Sequence, residues 1–455
     1  MKSTAIKNTN ITMATLKKDH HNKKQQRSLT GLKLFFCLIT IITFSAIFTS
    51  CEEKPKDRII IWTDCSEFAQ YCELFNKTHP DNKAVLVYKE NPALAIPPAK
   101  DELPPDIIIG SWLRSDYTQK YFKSLDYLFD HQNLSYSIFY EQLINAGKVR
   151  KHQYLLPVSF NLPAIIFSNQ NSNLITDNYN LTPAQLRLIS SEFNQQNKNG
   201  NYTKIGFIPS ADSNFLYTLA KLNGANFREE KNEILYDKDS MEFTINYLRD
   251  WIEKENTSAQ VEQDFAFKYL FMPDYRQVTS GRTLFASTTS SYLFKTMKDM
   301  NLDIDYRWLA DGSSTPNTIP IEDNFTMLGI YKDAQNQPGA SEFITWFFDS
   351  TTQEQIISRK VQLQLNTELF GIAGGFSSIR DVTEHILQIY YTHLLTNLPP
   401  AENLIVPEKL PARWDTYRNN VIEQYISTSI TTEDLDSVPS MAEYEAEWQK
   451  KVFDN

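Results

Sequence analysis

Apolar positions are most concentrated from Gln153 to Asn169, QYLLPVSFNLPAIIFSN, with Leu155, Leu156, Val158, Phe160, Ile165, Ile166 and Phe167 close together. Pro157 and Pro163 interrupt the run, which argues against a helix interior and against one unbroken central strand. Two extended apolar pieces joined at a proline-marked bend predict a crossing between two compact lobes. Each lobe would take one half as a strand. A buried loop or a plain core strand is the alternative reading of these residues.

Upstream, Arg58 to Trp62 is a β-branched run that reads as a buried strand. Asp64-Cys65-Ser66-Glu67 has capping-box spacing, and Phe68, Cys72 and Phe75 follow at i, i+4 and i+7 on one helix face. Ala84–Tyr88 and Asp106–Ile109 predict two more strands, separated by a proline-rich loop over 92–105. Strand, helix, strand, loop, strand opens an α/β sheet. Downstream, Thr182-Pro183-Ala184-Gln185 is a helix start with a cap, a first-turn proline and a closing glutamine. Lys204–Ile208 predicts a strand, Phe215–Asn223 a helix capped by Asp212, Ser213 or Asn214, and Gly224 its stop. Helices are expected over 240–255, 342–350, 352–359 and 383–396, with strands at Thr283–Ser287 and Phe325–Tyr331. The last of these is a candidate second crossing.

Length and charge then narrow the function. A chain of 455 residues exceeds one ordinary core, and 41% hydrophobic with 13% aromatic content is that of a packed globular protein. Net charge is -10, although residues 1–50 hold eight Lys or Arg against Asp19 alone; beyond them 37 basic face 54 acidic side chains. So acidic a chain is a poor match for a phosphate backbone, and nucleic acid is disfavoured as a partner.

The basic N-terminus precedes an uncharged apolar run from Leu34 to Phe48, 15 residues long. That is short for a membrane span of ~20 residues and suits a signal-peptide core. Phe48-Thr49-Ser50-Cys51 follows, and it resembles a relaxed bacterial lipobox, which implies cleavage before Cys51 and lipidation of that residue. An uncleaved anchor helix is the alternative, and Met13 offers a second translation start. Residues 51–57 would be a tether. Only Cys65 and Cys72 then remain, and two buried free thiols are expected unless Cys65 leaves the helix. There is no CxxC pair and no HExxH motif, so neither metal nor cofactor is expected.

With these pieces placed, the chain resembles the bacterial extracellular solute-binding proteins of ABC transporters, in the sugar-type family that includes maltose-binding protein. The likeness runs from Arg58 to about Lys450. It is carried by RIIIWTD, PPDIIIGSWL, YLLPVSFNLPAIIFS, SGRTLFASTTSSYL, NFTMLGIYKDAQNQ before ASEFITWFF, and ARWDTY. The resemblance implies a two-lobed α/β periplasmic-binding-protein fold with hinge strands and a ligand cleft. Lobe 1 would be 58–158 plus 328–390, and lobe 2 would be 162–324 plus 391–455. It also implies binding of a sugar or oligosaccharide and delivery to ABC permease subunits by a monomer. The protein would be anchored through Cys51 and would face the periplasm or cell exterior.

A sugar presents an apolar ring face and a rim of hydroxyls, so aromatic planes and Asp, Asn or Arg side chains at strand ends are the candidates. The resemblance places Asp64 after the first strand, Trp112 after the third and Asn161 at the crossing. It places Asp212 and Asn214 at a helix start, Tyr292 after a Ser/Thr run, and Trp414 in the late aromatic region. Asn161 stands where maltose-binding protein has a carboxylate, and Asn214 where an aromatic is expected. Each has a structural counterpart: Asp64, Asp212 and Asn214 as helix caps, Asn161 as a partner for hinge backbone, and the aromatics as core. No motif pairs two carboxylates for glycoside cleavage, and GxSxG and the P-loop are absent, so an enzyme is disfavoured. The alternatives kept open are a surface interaction lipoprotein with a degenerate cleft and a receptor for a polyamine or peptide. An acidic cleft around Asp64, Asp116 and Asp212 would point to a cation.

Overall fold

The crossing is two residues long. In the computed structural model, which describes residues 58–176, 178–300, 302–364 and 369–453, one strand ends at Phe160 and the next begins at Pro163. Asn161 and Leu162 alone join two different sheets. The leader, its apolar run and the lipobox cysteine lie outside the described residues. Among the described residues no helix is long and apolar enough to cross a membrane.

The strands of the two main sheets are, in chain order, β1 (Arg58–Thr63), β2 (Lys83–Tyr88), β3 (Ile107–Gly110), β4 (Leu156–Phe160), β5 (Pro163–Ser168), β6 (Asn180–Leu181), β7 (Phe285–Thr289), β8 (Ile304–Leu309), β9 (Thr326–Ile330) and β10 (Phe376–Ser377). One sheet has the order β10-β4-β9-β3-β1-β2, with β1, β2 and β3 parallel and β9 antiparallel to both neighbours. The other has the order β7-β5-β8-β6. Every residue of β3, β4 and β5 is buried, which is why these segments are predominantly apolar rather than alternating. Pro157 is accommodated inside β4 by a register shift opposite Thr326 and Met327, and Pro163 takes the first position of β5.

Helices cover both sheets: α1 (Phe68–Thr78), α2 (Pro183–Phe193), α3 (Ser213–Leu222), α4 (Lys238–Glu255), α5 (Ala259–Tyr269), α6 (Asp274–Thr279), α7 (Ser290–Met300), α8 (Gln337–Phe347), α9 (Ser350–Gln362), α10 (Glu423–Thr431) and α11 (Met441–Phe453). Thr182 and Gln185 form the expected capping box of α2. Asp212 caps α3, and Gly224, at φ +91°, follows its end. The C-terminal segment returns from the first sheet to pack α10 against α3 and α4.

Four local expectations fail. Asp64 does not cap α1, because Glu67 is drawn inward to a buried ion pair with Lys360 at 2.5 Å, and Thr63 Oγ1 takes the Cys65 N–H at 3.0 Å instead. The strand expected at 204–208 lies earlier, at Tyr202–Lys204, and shares only Lys204 with it; Ile205 and Ile208 instead build a small separate core with Phe265. The strand expected at 283–287 sits two residues later. The helix expected over 383–396 is a π turn at Val382–Ile386, one α turn to Tyr390 and a 3₁₀ turn beyond it, broken where Tyr391 adopts φ −127°. Cys65 does lie outside the helix, yet it and Cys72 are both free.

Ile165 lies in the middle of β5, fully buried, paired with Ser287 on one side and Arg307 on the other. Truncating Ile165→Ala should cost about 2–5 kcal/mol in urea-induced unfolding, as for other large-to-small core changes.

Candidate functional site

Asn161 occupies the crossing and its side chain is fully employed. Its Nδ2 donates to Gly374 O at 3.1 Å, its Oδ1 accepts from Ser290 Oγ at 2.6 Å, and its carbonyl accepts from Glu322 N–H at 2.9 Å. A Cβ on Gly375 would come within 2.6 Å of Phe160 O, so only glycine lets this loop approach the crossing. The residue therefore ties the first sheet's Gly374 loop, the start of α7 and the returning 322–326 segment together.

Trp112 follows β3 with φ +64°, a backbone region that bulky residues avoid. Its indole is 8% exposed and donates to Asp415 Oδ2 at 2.9 Å. Nearby, Arg114 donates to Pro407 O at 3.0 Å, Asn91 to Ala412 O at 3.1 Å, and Lys409 pairs with Asp116. A strip from 407 to 415 thus binds the loops after the first sheet's strands. Asp64 lies against this strip, its carboxylate 3.3 Å from where a Gly110 Cβ would stand. Burial pushes its pKa up to about 6, offset in part by backbone N–H groups including that of Ser111 and reinforced by the Asp415 charge.

Trp414 departs from expectation. It is fully buried, packed on Tyr217, Phe227 and Tyr417, with its indole donating to Asp323 Oδ2 at 3.1 Å. No ring face is open to a ligand. Asp323 also takes Lys221 at 2.5 Å and the Tyr217 hydroxyl; burial works to raise its pKa, but Lys221 and these donors hold it below the usual carboxylate range. Asp116 is likewise spent on Lys409, so the three-acid cleft considered from sequence loses one member.

Asp212, Asn214 and Tyr292 come together on a cavity of about 650 Å³ where β7 ends and α3 begins. Strand carboxyl ends beside helix N-termini are where open α/β sheets bind ligands. Asp212 Oδ1 accepts the Phe215 N–H at 2.9 Å as the α3 cap, yet burial pushes its pKa up to about 6. Asn214 Oδ1 is held by Arg418 Nη2 at 2.9 Å. Tyr292 is 43% exposed. Phe267 and Phe271, 89% and 99% exposed, line the same cavity together with Asp274. None of these three was singled out from the sequence. The available signal was the aromatic run FAFKYLF, ending a helix just before Pro273.

Glu262 supports this cavity from below. It is fully buried, with Oε1 accepting Asn256 Nδ2 at 2.5 Å and Oε2 accepting the Ser210 N–H at 3.1 Å, which fixes the loop leading to Asp212. Among the described residues no group of three or more His, Cys, Asp or Glu could hold a metal ion.

A sequence model of the family described as bacterial extracellular solute-binding protein matches residues 62–354. The chain belongs to this family. Among curated proteins no sequence relative matches. Solved structures of similar fold include CpMnBP1 with mannotriose bound, at TM-score 0.60 and 14% identity over 86% of this chain and 99% of that one. The sugar-binding protein MalE from Xanthomonas citri matches at TM-score 0.63 and 10% identity, over 87% and 96%. The galacto-N-biose/lacto-N-biose I-binding protein of Bifidobacterium longum, in complex with lacto-N-biose, matches at 0.55 and 13%, over 89% and 98%. At such identities the likeness shows the fold, the two-lobed α/β architecture of periplasmic binding proteins. Solute-binding proteins of this family are receptors rather than enzymes.

Burial lifts Glu262 from its ordinary 4.5 to about 7. Below about pH 4 it is protonated folded or unfolded. Between there and pH 7 the unfolded chain ionises first, so this group's contribution to stability falls, by up to about 3 kcal/mol, and is flat above. Urea unfolding at pH 5 and pH 8 should show Glu262→Gln losing less stability than wild type over that interval.

Proposed function

We propose that this solute-binding protein is a lipid-anchored receptor of an ABC importer that captures a sugar or oligosaccharide between its lobes and passes it to the permease. The observation that carries the reading is the cavity at the β7–α3 junction. It places a carboxylate (Asp212), an amide (Asn214) and a tyrosine beside two exposed phenylalanine rings. That is the mixture of hydroxyl partners and apolar planes a pyranose needs. Its size lies within the range of small-molecule sites. Sugar complexes among proteins of the same fold support the choice of solute class.

In this reading Asp212, Asn214 and Tyr292 contact the ligand from one lobe, while Asp64 and the Ser111–Trp112 turn close over it from the other. Phe267 and Phe271 supply the stacking planes that the Asn214 position lacks. Asn161 and Trp414 act on the frame rather than on the ligand. Cys51 carries the lipid, which holds the protein at the envelope surface.

Thermal unfolding against mono- and oligosaccharides, with polyamines and short peptides as controls, tests the function. A sugar at 100 times its dissociation constant should add ~2.7 kcal/mol and raise the midpoint by a degree or more, with no turnover of the sugar. No shift with any solute would leave a surface lipoprotein without a ligand. Phe271→Ala should weaken binding of the same sugar about 2- to 10-fold, the range for one lost stacking ring. Cys51→Ala should move the protein from the membrane fraction to the soluble fraction of the cell envelope.

A further inference from the structure

The β7–α3 cavity has an unbalanced charge. Asp212 and Asp274 line it, and no Lys, Arg or His stands among its described lining residues. The charged groups that act on Asp212 are Asp274 and Glu423, both acids, and burial is the largest influence on each of the two cavity carboxylates. Glu423 has its own cation, Arg418, at 2.8 Å, and that same guanidinium is turned to Asn214. Elsewhere in the protein several acids have a cation beside them, Glu67 with Lys360, Asp323 with Lys221 and Asp116 with Lys409, while the buried Glu262 is held by neutral donors from Asn256 and Ser210. Asp212 and Asp274, both half-buried, have no counter-charge; Asp212 accepts only neutral donors such as the Phe215 N–H, so a cation entering the cavity would be favoured.

Two further observations point to a ligand rather than to an incidental pair of acids. Thr283, 1% exposed and lining the same cavity, has a hydroxyl oxygen with no hydrogen-bond partner. A buried hydroxyl of that kind ordinarily finds one. Phe267 and Phe271 stand almost fully in solvent on the same cavity, and aromatic faces attract a cation as well as a sugar ring. Carboxylates, aromatic faces, a spare hydroxyl and no basic side chain together select a positively charged, hydroxyl-bearing solute.

We infer that the ligand of this cavity is a carbohydrate carrying a protonated amine, with the amine held between Asp212 and Asp274 and the ring against Phe267, Phe271 and Tyr292. The inference rests on the receptor reading above and names its substrate class. It differs from a bare polyamine, which has no ring to lay on the aromatic faces, and from a neutral sugar, which could donate hydroxyls to the carboxylates but would bring no counter-charge.

The test is titration calorimetry on the purified full chain at pH 7. The probes are matched oligosaccharides of glucosamine, galactosamine and mannosamine, each as the free amine and as its N-acetylated form. Maltotriose, mannotriose and spermidine complete the set. The expected result is at least one amine form binding about 10-fold or more tightly than its N-acetylated partner. That preference should fall to within about 2-fold in Asp212→Asn, which keeps a helix cap, and in Asp274→Asn, with thermal melts showing both variants folded. Equal or tighter binding of the acetylated or neutral sugars overturns the amine inference and leaves the sugar receptor standing. Binding of spermidine alone, or of no probe, overturns the sugar receptor and the amine inference with it.

Discussion

The hydrogen bonds of one asparagine hold the two halves of this protein in register. Asn161 sits in a two-residue passage between sheets, where the chain has no ladder partner of its own. Its side chain replaces the missing ladder by reaching a carbonyl on one side and a serine hydroxyl on the other. The backbone groups of the passage need partners: the Asn161 carbonyl accepts from the Glu322 N–H, and Ser290, whose hydroxyl the Asn161 amide holds, accepts the Leu162 N–H at 3.1 Å. The Gly374–Gly375 loop, the start of α7 and the segment returning through Glu322 all meet at that residue. The cavity at the β7–α3 junction inherits its shape from the same anchor, since α7 carries Tyr292.

A second layer of polar order lies under the cavity and beside it. Glu262 fixes the loop before Asp212, and Asp323 gathers Tyr217, Lys221 and Trp414 into one buried network. The strip from 407 to 415 then meets the loops of the first sheet through Trp112, Arg114 and Asn91. Side chains at the candidate site are thus positioned by buried carboxylates whose partners come from distant parts of the chain. Such networks specify geometry when every member is satisfied.

The lobe crossing was legible because its signals are local. Two prolines in an apolar run with a strand's worth of residues on each side suggested it, beside the alternative of a buried loop or plain core strand. The caps at Thr182 and Asp212 were legible for the same reason, as each needs only three residues. What failed depended on distant partners. Nothing near Glu67 in sequence announces Lys360, almost 300 positions away, so a plausible capping box became a buried ion pair. ARWDTY looks the same whether its tryptophan faces a ligand or a core, and Asp323 decides that it faces the core. Phe267 and Phe271 drew no expectation from the sequence, because nothing local tells an exposed phenylalanine at a helix end from a buried one, and the fold leaves those rings in solvent. Asp212, Asn214 and Tyr292 were nominated through family resemblance, and they do share one cavity.

The free cysteines carry a consequence for where such a protein can work. Burial pushes the thiols of Cys65 and Cys72 up to about 12, in Cys65 with help from the neighbouring Glu67 charge. Disulfide exchange and oxidation proceed through the thiolate, and at neutral pH almost none is present on either sulfur. A member of an extracellular family thus keeps two reduced sulfurs without a disulfide to protect them. Thiolate-dependent cross-linking is slowed at both sulfurs by the burial that raises their pKa, so the fold keeps them reduced where an ordinary surface cysteine would react.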